Sequence, residues 1–227
     1  MVGALTIIDC EQRSDGWFEA RRGIVTASTV GKLVTPRTIK VASNDESRGL
    51  IDTLAAERIT GYVEETYTNS DMWRGIESEP YARDLYSQHY APAVECGFMV
   101  RDLGGFVLGL SPDGLVGDDG LIEIKSPRQK THLATVLADA VPLGYMAQCQ
   151  AALLVSGREW LDFVSYCGGM PLWVRRVLPD PRWHAAIYEA VMQAEHAIEE
   201  SVALFAEATA GLPATKRIDF NTVELKL

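Results

Sequence analysis

Two acidic side chains and one lysine stand at a spacing that suits phosphodiester hydrolysis. In Leu121-Ile122-Glu123-Ile124-Lys125 the side chains of a strand alternate, so Glu123 and Lys125 project from one face and Ile122 and Ile124 from the other. Asp113 lies ten residues before Glu123, in the turn Ser111-Pro112-Asp113-Gly114, where an antiparallel return brings it beside Glu123. Two carboxylates converging with one ammonium can hold Mg²⁺ or Mn²⁺, hard cations that prefer oxygen ligands. Such a metal polarises a scissile phosphate and activates water, while the lysine orients that water and offsets negative charge in the transition state. Taken alone, the same residues also read as a common Pro-Asp-Gly turn followed by a solvated strand face.

The elements that must position these residues follow from periodicity and punctuation. Ser28 to Val34 predicts a short helix capped by the Ser28 hydroxyl, and Pro36 to Ser47 predicts a loop. Leu50 to Ile59 carries apolar residues at helical spacing and is closed by Gly61. Ser78-Glu79-Pro80 reads as the start of a helix running to about Tyr90. Val94 to Leu110 is β-rich, and turns at Ser111–Gly114 and Asp118–Gly120 predict a tight antiparallel meander over 98–125. Leu143 to Val155 is an apolar helix, Trp160–Tyr166 and Leu172–Leu178 are strands around Gly168-Gly169, and Pro181 to about Ala208 is a long acidic amphipathic helix. This order implies an α/β (α+β) fold, with a central mixed β-sheet flanked by helices.

The 227 residues, 47% hydrophobic and 23% charged, suffice for one substantial core, so a single domain over 1–227 is expected. The N-terminus lacks a basic leader and no apolar run reaches membrane-spanning length, which makes a cytoplasmic protein with no membrane partner the expectation. Cys10, Cys96, Cys149 and Cys167 form no C-x-x-C pair, so neither a zinc site nor a disulfide framework is indicated. The net charge of −10 argues against a broad basic face for nucleic acid. Its distribution is uneven: residues 1–40 hold six bases against four acids, whereas residues 41–100 hold four against eleven. A small local site or a closed channel for DNA remains compatible with that balance.

Several ordered segments together resemble the phage lambda exonuclease family, the YqaJ-like viral recombinases of the PD-(D/E)xK nuclease superfamily. Trp17-Phe-Glu-Ala-Arg21-Arg-Gly-Ile-Val-Thr26-Ala-Ser28 is similar to its W-x₃-R-x-G-x-[IV]-T-A-S signature, and Gly75-Ile-Glu-Ser-Glu79-Pro-Tyr-Ala-Arg83 to its G-x₃-E-x₂-A-R helix. Ser111-Pro-Asp113-Gly-Leu with Leu121-Ile-Glu123-Ile-Lys125-Ser-Pro resembles its catalytic core, and Tyr145-Met-Ala-Gln148-Cys-Gln150 its Y-x-x-Q-x-Q helix. These segments span residues 17–150, about three fifths of the chain.

The resemblance implies a restriction-endonuclease-like core and an Mg²⁺-dependent (or Mn²⁺-dependent) enzyme that degrades one strand of duplex DNA from a 5′-phosphorylated end. It assigns Asp113, Glu123 and the Ile124 carbonyl to the metal and Lys125 to catalysis. Glu79, read as a first-turn helix residue, and Gln148 would complete the active centre. Arg21, Thr26, Ser28 and Ser111 would receive the terminal phosphate; taken alone, Arg21 also reads as a surface arginine, Ser28 as a helix cap and Ser111 as a turn residue. Met72 would stand where the family has an apolar wedge between parting strands, with Trp73 beside it; both would otherwise be core residues. The resemblance further implies a homotrimeric ring around DNA, which would reconcile binding with the acidic balance, and a single-strand annealing protein as partner. Residues 36–47 and 212–227 depart from the family pattern. A structure-specific or restriction-like endonuclease and a non-catalytic DNA-end-binding module are the alternatives on the same residues.

Overall fold

The computed structural model describes residues 3–64 and 69–217. In chain order these form β1 (Leu5–Ile8), α1 (Asp15–Arg21), β2 (Val34–Thr35), β3 (Lys40–Val41), α2 (Asp45–Thr60), α3 (Ser70–His89), β4 (Ala93–Val94), β5 (Phe98–Asp102), β6 (Val107–Leu110), β7 (Gly114–Val116), β8 (Gly120–Lys125), α4 (Gln129–Ala138), α5 (Met146–Ser156), β9 (Trp160–Ser165), β10 (Trp173–Val177) and α6 (Pro181–Ala208). Five strands make a mixed sheet in the order β10-β9-β8-β7-β4, with only the β8–β9 pairing parallel. A second sheet, β1-β5-β6, is antiparallel throughout. The expected α/β architecture with a mixed sheet and flanking helices is the one observed.

The catalytic-looking strand lies in the middle of the larger sheet and is covered on both faces. Leu121 joins the main core with Leu161, Phe163, Leu153 and Ile187, while Ile122 and Ile124 pack on the other face with Ala82 and Tyr86 of α3, and Val164. The alternation predicted for this strand is therefore real, but the face that carries Glu123 is no solvated surface: Glu123 is 2% exposed.

Four local expectations require correction. Residues 98–125 are not one meander: β5–β6 belongs to the smaller sheet and β7–β8 to the larger, and the chain changes sheet at Ser111-Pro112-Asp113. The helix expected from Ser78 begins at Ser70, because Asn69 accepts from the backbone N–H groups of Asp71 and Met72 and so caps it; Pro80 lies inside the helix. Residues 36–47 are not all loop, since β2 and β3 pair as a hairpin and a reciprocal Asn44–Ser47 capping box starts α2. The helix over 28–34 shrinks to a 3₁₀ turn at Val30–Lys32, and Val34 enters β2. Ser28 caps nothing there; its hydroxyl meets Thr26 Oγ1 at 3.0 Å.

Other elements match their signals. Gly61 ends α2 in the left-handed region at φ 77°, and α6 runs Pro181–Ala208 with Asp180 capping it. Arg58 of α2 donates to both carboxylate oxygens of Glu195 on α6, at 2.6 and 2.7 Å. Among the described residues no helix is long and apolar enough to cross a membrane. The four cysteines are free thiols.

Candidate active site

The β7–β8 register sets Gly114 opposite Ile122, so Asp113 stands one position beyond the paired residues, beside Glu123 at the strand rim. Its Oδ2 accepts from the Ile124 backbone N–H at 2.6 Å, which fixes the carboxylate against β8. Lys125 Nζ is 2.5 Å from Glu123 Oε1, and Gln148 Nε2 donates to the same oxygen at 2.7 Å. Tyr145, in the 3₁₀ turn Leu143–Tyr145 that leads into α5, places its ring 5.3 Å from the Lys125 ammonium. Tyr145 and Gln148 thus both face β8, as their spacing predicts.

Burial and then the Glu123 carboxylate push the Asp113 carboxyl well above its ordinary range, with Lys125 pulling it back. Burial works to lower the Lys125 ammonium, but Glu123 and Asp113 outweigh it and hold its proton more tightly than a free lysine's. Two carboxylates, Glu123 buried and Asp113 half-buried, share a single ammonium. That excess of negative charge, on an oxygen-only donor set, fits a hard divalent cation. Among the described residues no three His, Cys, Asp or Glu side chains converge; the set implied by the family resemblance, Asp113, Glu123 and the Ile124 carbonyl, is made of two side chains and one backbone oxygen. Mg²⁺ commonly takes one or two carboxylates and keeps several waters, which this set allows.

The reading of Glu79 as a first-turn acid falls with the helix boundary, since Glu79 sits near the middle of α3. It lines the same cleft but is engaged by Arg83 at 2.5 Å and Arg13 at 3.5 Å. Arg83, given no role from sequence, is the hub here. It is 9% exposed, donates through Nε to the Asp113 carbonyl at 2.7 Å, and also pairs with Glu95. It is the last residue of the G-x₃-E-x₂-A-R segment, four positions from Glu79 on one helix face. That spacing was the available signal.

The residues expected to receive a terminal phosphate gather on the wall of the same cleft, which encloses about 730 Å³ and is lined by Trp17, Arg21, Thr26, Ser28, Ser111, Asp113, Glu123 and Lys125 among others. Trp17 Nε1 donates to Ser111 Oγ at 2.6 Å, and the Arg21 guanidinium lies 4.1 Å from the Trp17 ring centroid. Burial lowers the Arg21 guanidinium from its ordinary value, with Glu57 acting in the opposite sense. Thr26 is held against β6 through hydrogen bonds that flank it, Ala27 N–H to the Gly109 carbonyl and Gly109 N–H to the Val25 carbonyl. Gly109 also leaves room for Phe98, since a Cβ there would sit 2.4 Å from its ring.

Met72 and Trp73 are not core residues: they are 46% and 55% exposed on the first turn of α3. Met72 lines the cleft, whereas Trp73 is not among its lining residues.

Residues 16–159 match the model of the YqaJ-like viral recombinase domain. An alkaline exonuclease from Laribacter hongkongensis (LHK-Exo) is 32% identical, with 88% of this chain and 100% of that one covered at a TM-score of 0.77. The structure of the same enzyme in complex with dAMP gives 33% identity over the same shares, again at 0.77. A phage-related exonuclease from Haemophilus somnus 129PT, 15% identical over 80% of this chain and 96% of that one, shares the fold at a TM-score of 0.65. Among curated proteins none matches. By the match over most of its length and the identity to a solved relative, the chain belongs to the family of YqaJ-like viral recombinase domains.

Proposed function

We propose that this protein is an Mg²⁺-dependent exonuclease that degrades one strand of duplex DNA in the 5′→3′ direction, leaving a 3′ single strand for recombination by annealing. The observation that carries this reading is the convergence of Asp113, Glu123, Lys125 and Gln148 in one cleft with Arg21, Ser28 and Ser111. The family and an exonuclease relative at 32% identity support it.

When bound, the metal would polarise the scissile phosphate and lower the pKa of an attacking water. The chain's own residues do the rest. Asp113 and Glu123 supply the negative charge that holds the cation, and the Ile124 N–H orients Asp113. Gln148 fixes the Glu123 rotamer, so a Glu123 oxygen is directed by two donors at once. Lys125, protonated, orients water and balances charge that develops on the phosphate. Arg21 offers a guanidinium fork to the terminal phosphate, with the Ser28 and Ser111 hydroxyls as further donors. Mn²⁺ would satisfy the same oxygen donors. A homotrimeric ring and a partner that anneals single strands complete the proposal.

The test is digestion of linear duplexes with 5′-phosphate or 5′-hydroxyl ends, with Mg²⁺ and with chelator. Mononucleotide release that requires metal and prefers the phosphorylated end supports the proposal. Nicking of a covalently closed circle would replace it with an endonuclease.

A further inference from the structure

The cleft has a second cationic cluster that the proposed chemistry does not use. Asp71, in the first turn of α3, accepts through Oδ1 from Arg74 Nη1 at 2.7 Å and Arg128 Nε at 2.8 Å, and forms an ion pair with Arg128 Nη2 at 2.8 Å. Arg74 Nε and Nη2 both donate to the Ser126 carbonyl at 3.1 Å. All four residues line the cleft that holds Asp113, Glu123 and Lys125. The Ser126 hydroxyl is buried there and has no hydrogen-bond partner among the described residues. Two guanidinium groups against one carboxylate leave positive charge at the cleft wall, with Arg74 contributed by the acidic stretch 41–100 and Arg128 by the segment after Lys125. α2 provides a contrast: it opens on an Asp45–Arg48 pair of the same spacing, on open surface with no second arginine.

We propose that Arg74 and Arg128 form a second phosphate site, which grips a phosphodiester of the cleaved strand on the duplex side of the scissile bond, and that Asp71 occupies it when DNA is absent. This rests on the exonuclease reading above. A single carboxylate oxygen that accepts from two guanidinium groups stands where a phosphate oxygen would accept from the same two. Asp71 and the Ser126 carbonyl hold both forks in position, so little side-chain freedom is lost when the backbone exchanges for Asp71. The buried Ser126 hydroxyl supplies a neutral donor beside them. Arg128 follows Lys125 by three residues, a reach of at most about 10 Å along the chain. Successive phosphates of one strand advance about 3.4 Å along the helix axis, so the clamp lies within roughly three nucleotides of the phosphate at Lys125. The terminal-phosphate residues are tied to the sheet through Ser111, and the clamp through Ser126, with Asp113, Glu123 and Lys125 between them along the chain. One strand can therefore run from one to the other past the metal residues.

Binding of a 5′-phosphorylated linear duplex in Ca²⁺, followed by anisotropy between about 50 and 200 mM salt, reads the site directly. Arg128→Ala weakens binding several-fold and reduces the slope of log Kd against log salt by about one phosphate contact. Asp71→Asn removes the competing carboxylate and tightens binding several-fold. A merely structural ion pair would weaken both, and that result overturns the proposal. Arg128 is 67% exposed and makes no side-chain cap for α4, so the alanine variant should fold; Arg128→Gln serves as the second variant. A methylphosphonate placed two or three nucleotides 3′ of the scissile bond should weaken the parent and leave Arg128→Ala unchanged. If that loss of additivity arises instead from the complementary strand, the strand assignment is wrong and the proposal falls. Both variants keep the parent's preference for phosphorylated ends, which belongs to Arg21. A parent that neither binds nor digests duplex ends overturns the exonuclease reading. A fully active parent with an unaffected Arg128→Ala overturns the clamp alone.

Discussion

The raised carboxyl of Asp113 places function and stability in opposition at a single residue. An acid whose folded value is raised binds its proton more tightly in the native chain than in the unfolded one. Without metal, native stability therefore falls as pH rises through and above the ordinary carboxylate range. Asp113→Asn keeps an acceptor for the Ile124 N–H and removes that loss. Its metal-free Tm should rise, by about 2–4 °C for each kcal/mol recovered, while cleavage drops by about 10²-fold or more. Calorimetry in EDTA and in Mg²⁺ checks this: Mg²⁺ should raise the Tm of the parent and barely move the variant, and a variant that melts lower in EDTA refutes it. Lys125→Ala should abolish cleavage yet still bind metal by titration. The arginine at the end of α1 is tested separately. Arg21→Ala should erase discrimination between 5′-phosphate and 5′-hydroxyl ends, since a charge-assisted contact worth about 1.5–3 kcal/mol would be lost. Unaltered discrimination would place the terminal phosphate elsewhere.

At the scale of elements, α3 is the member that sequence punctuation misplaced and on which the site most depends. Its Arg83 holds the Asp113 turn to the helix while neutralising Glu79. Arg83→Met should cost about 3 kcal/mol in urea unfolding, as loss of one partner from a buried pair does, and should weaken metal binding by moving the turn. Arg83→Lys should recover little, because one ammonium cannot reproduce the guanidinium's several directed bonds. Unchanged metal affinity in a folded Arg83→Met protein would show that the turn holds without it. The first turn of the same helix exposes Met72, which is why Met72→Ala should leave Tm within about 1 °C yet slow fully paired ends several-fold more than ends with unpaired 5′ nucleotides. An equal slowdown on both ends, with a lower Tm, would mean packing instead.

Legibility followed locality. β8, the β7–β8 turn, α2 with its Gly61 cap, and α6 were readable because alternation, turn residues and caps are written within a few positions. The Ser78-Glu79-Pro80 signal misled because a proline tolerated inside a packed helix looks the same as one that begins it. The partition of 98–125 between two sheets was not readable, because it depends on which strands β6 and β7 meet far along the chain. Glu123, Lys125 and Asp113 could be paired from spacing alone, but the contact of Gln148 to Glu123 rests on α5 docking from 25 residues away.

For the molecule as a whole, a net charge of −10 makes the outer surface repel phosphates, so the proposed ring requires a free end to enter. Linear duplex should bind at least about tenfold better than a closed circle of the same length in Ca²⁺, and sedimentation should give roughly three times 24.9 kDa. Equal affinity for both, or a monomer, would argue for an open binding face. The parallel pairing of β8 with β9 adds a consequence in time. The β7–β8 hairpin that bears Asp113 and Glu123 is local and can close early, but β9 begins at Trp160, more than thirty residues after β8 ends at Lys125. In that register Glu123 lies opposite Phe163 of β9, so the burial of Glu123 depends on the crossover having closed. Residues through Lys125 leave the ribosome ahead of the strand that buries Glu123, and a fragment ending before Trp160 should therefore not cut DNA.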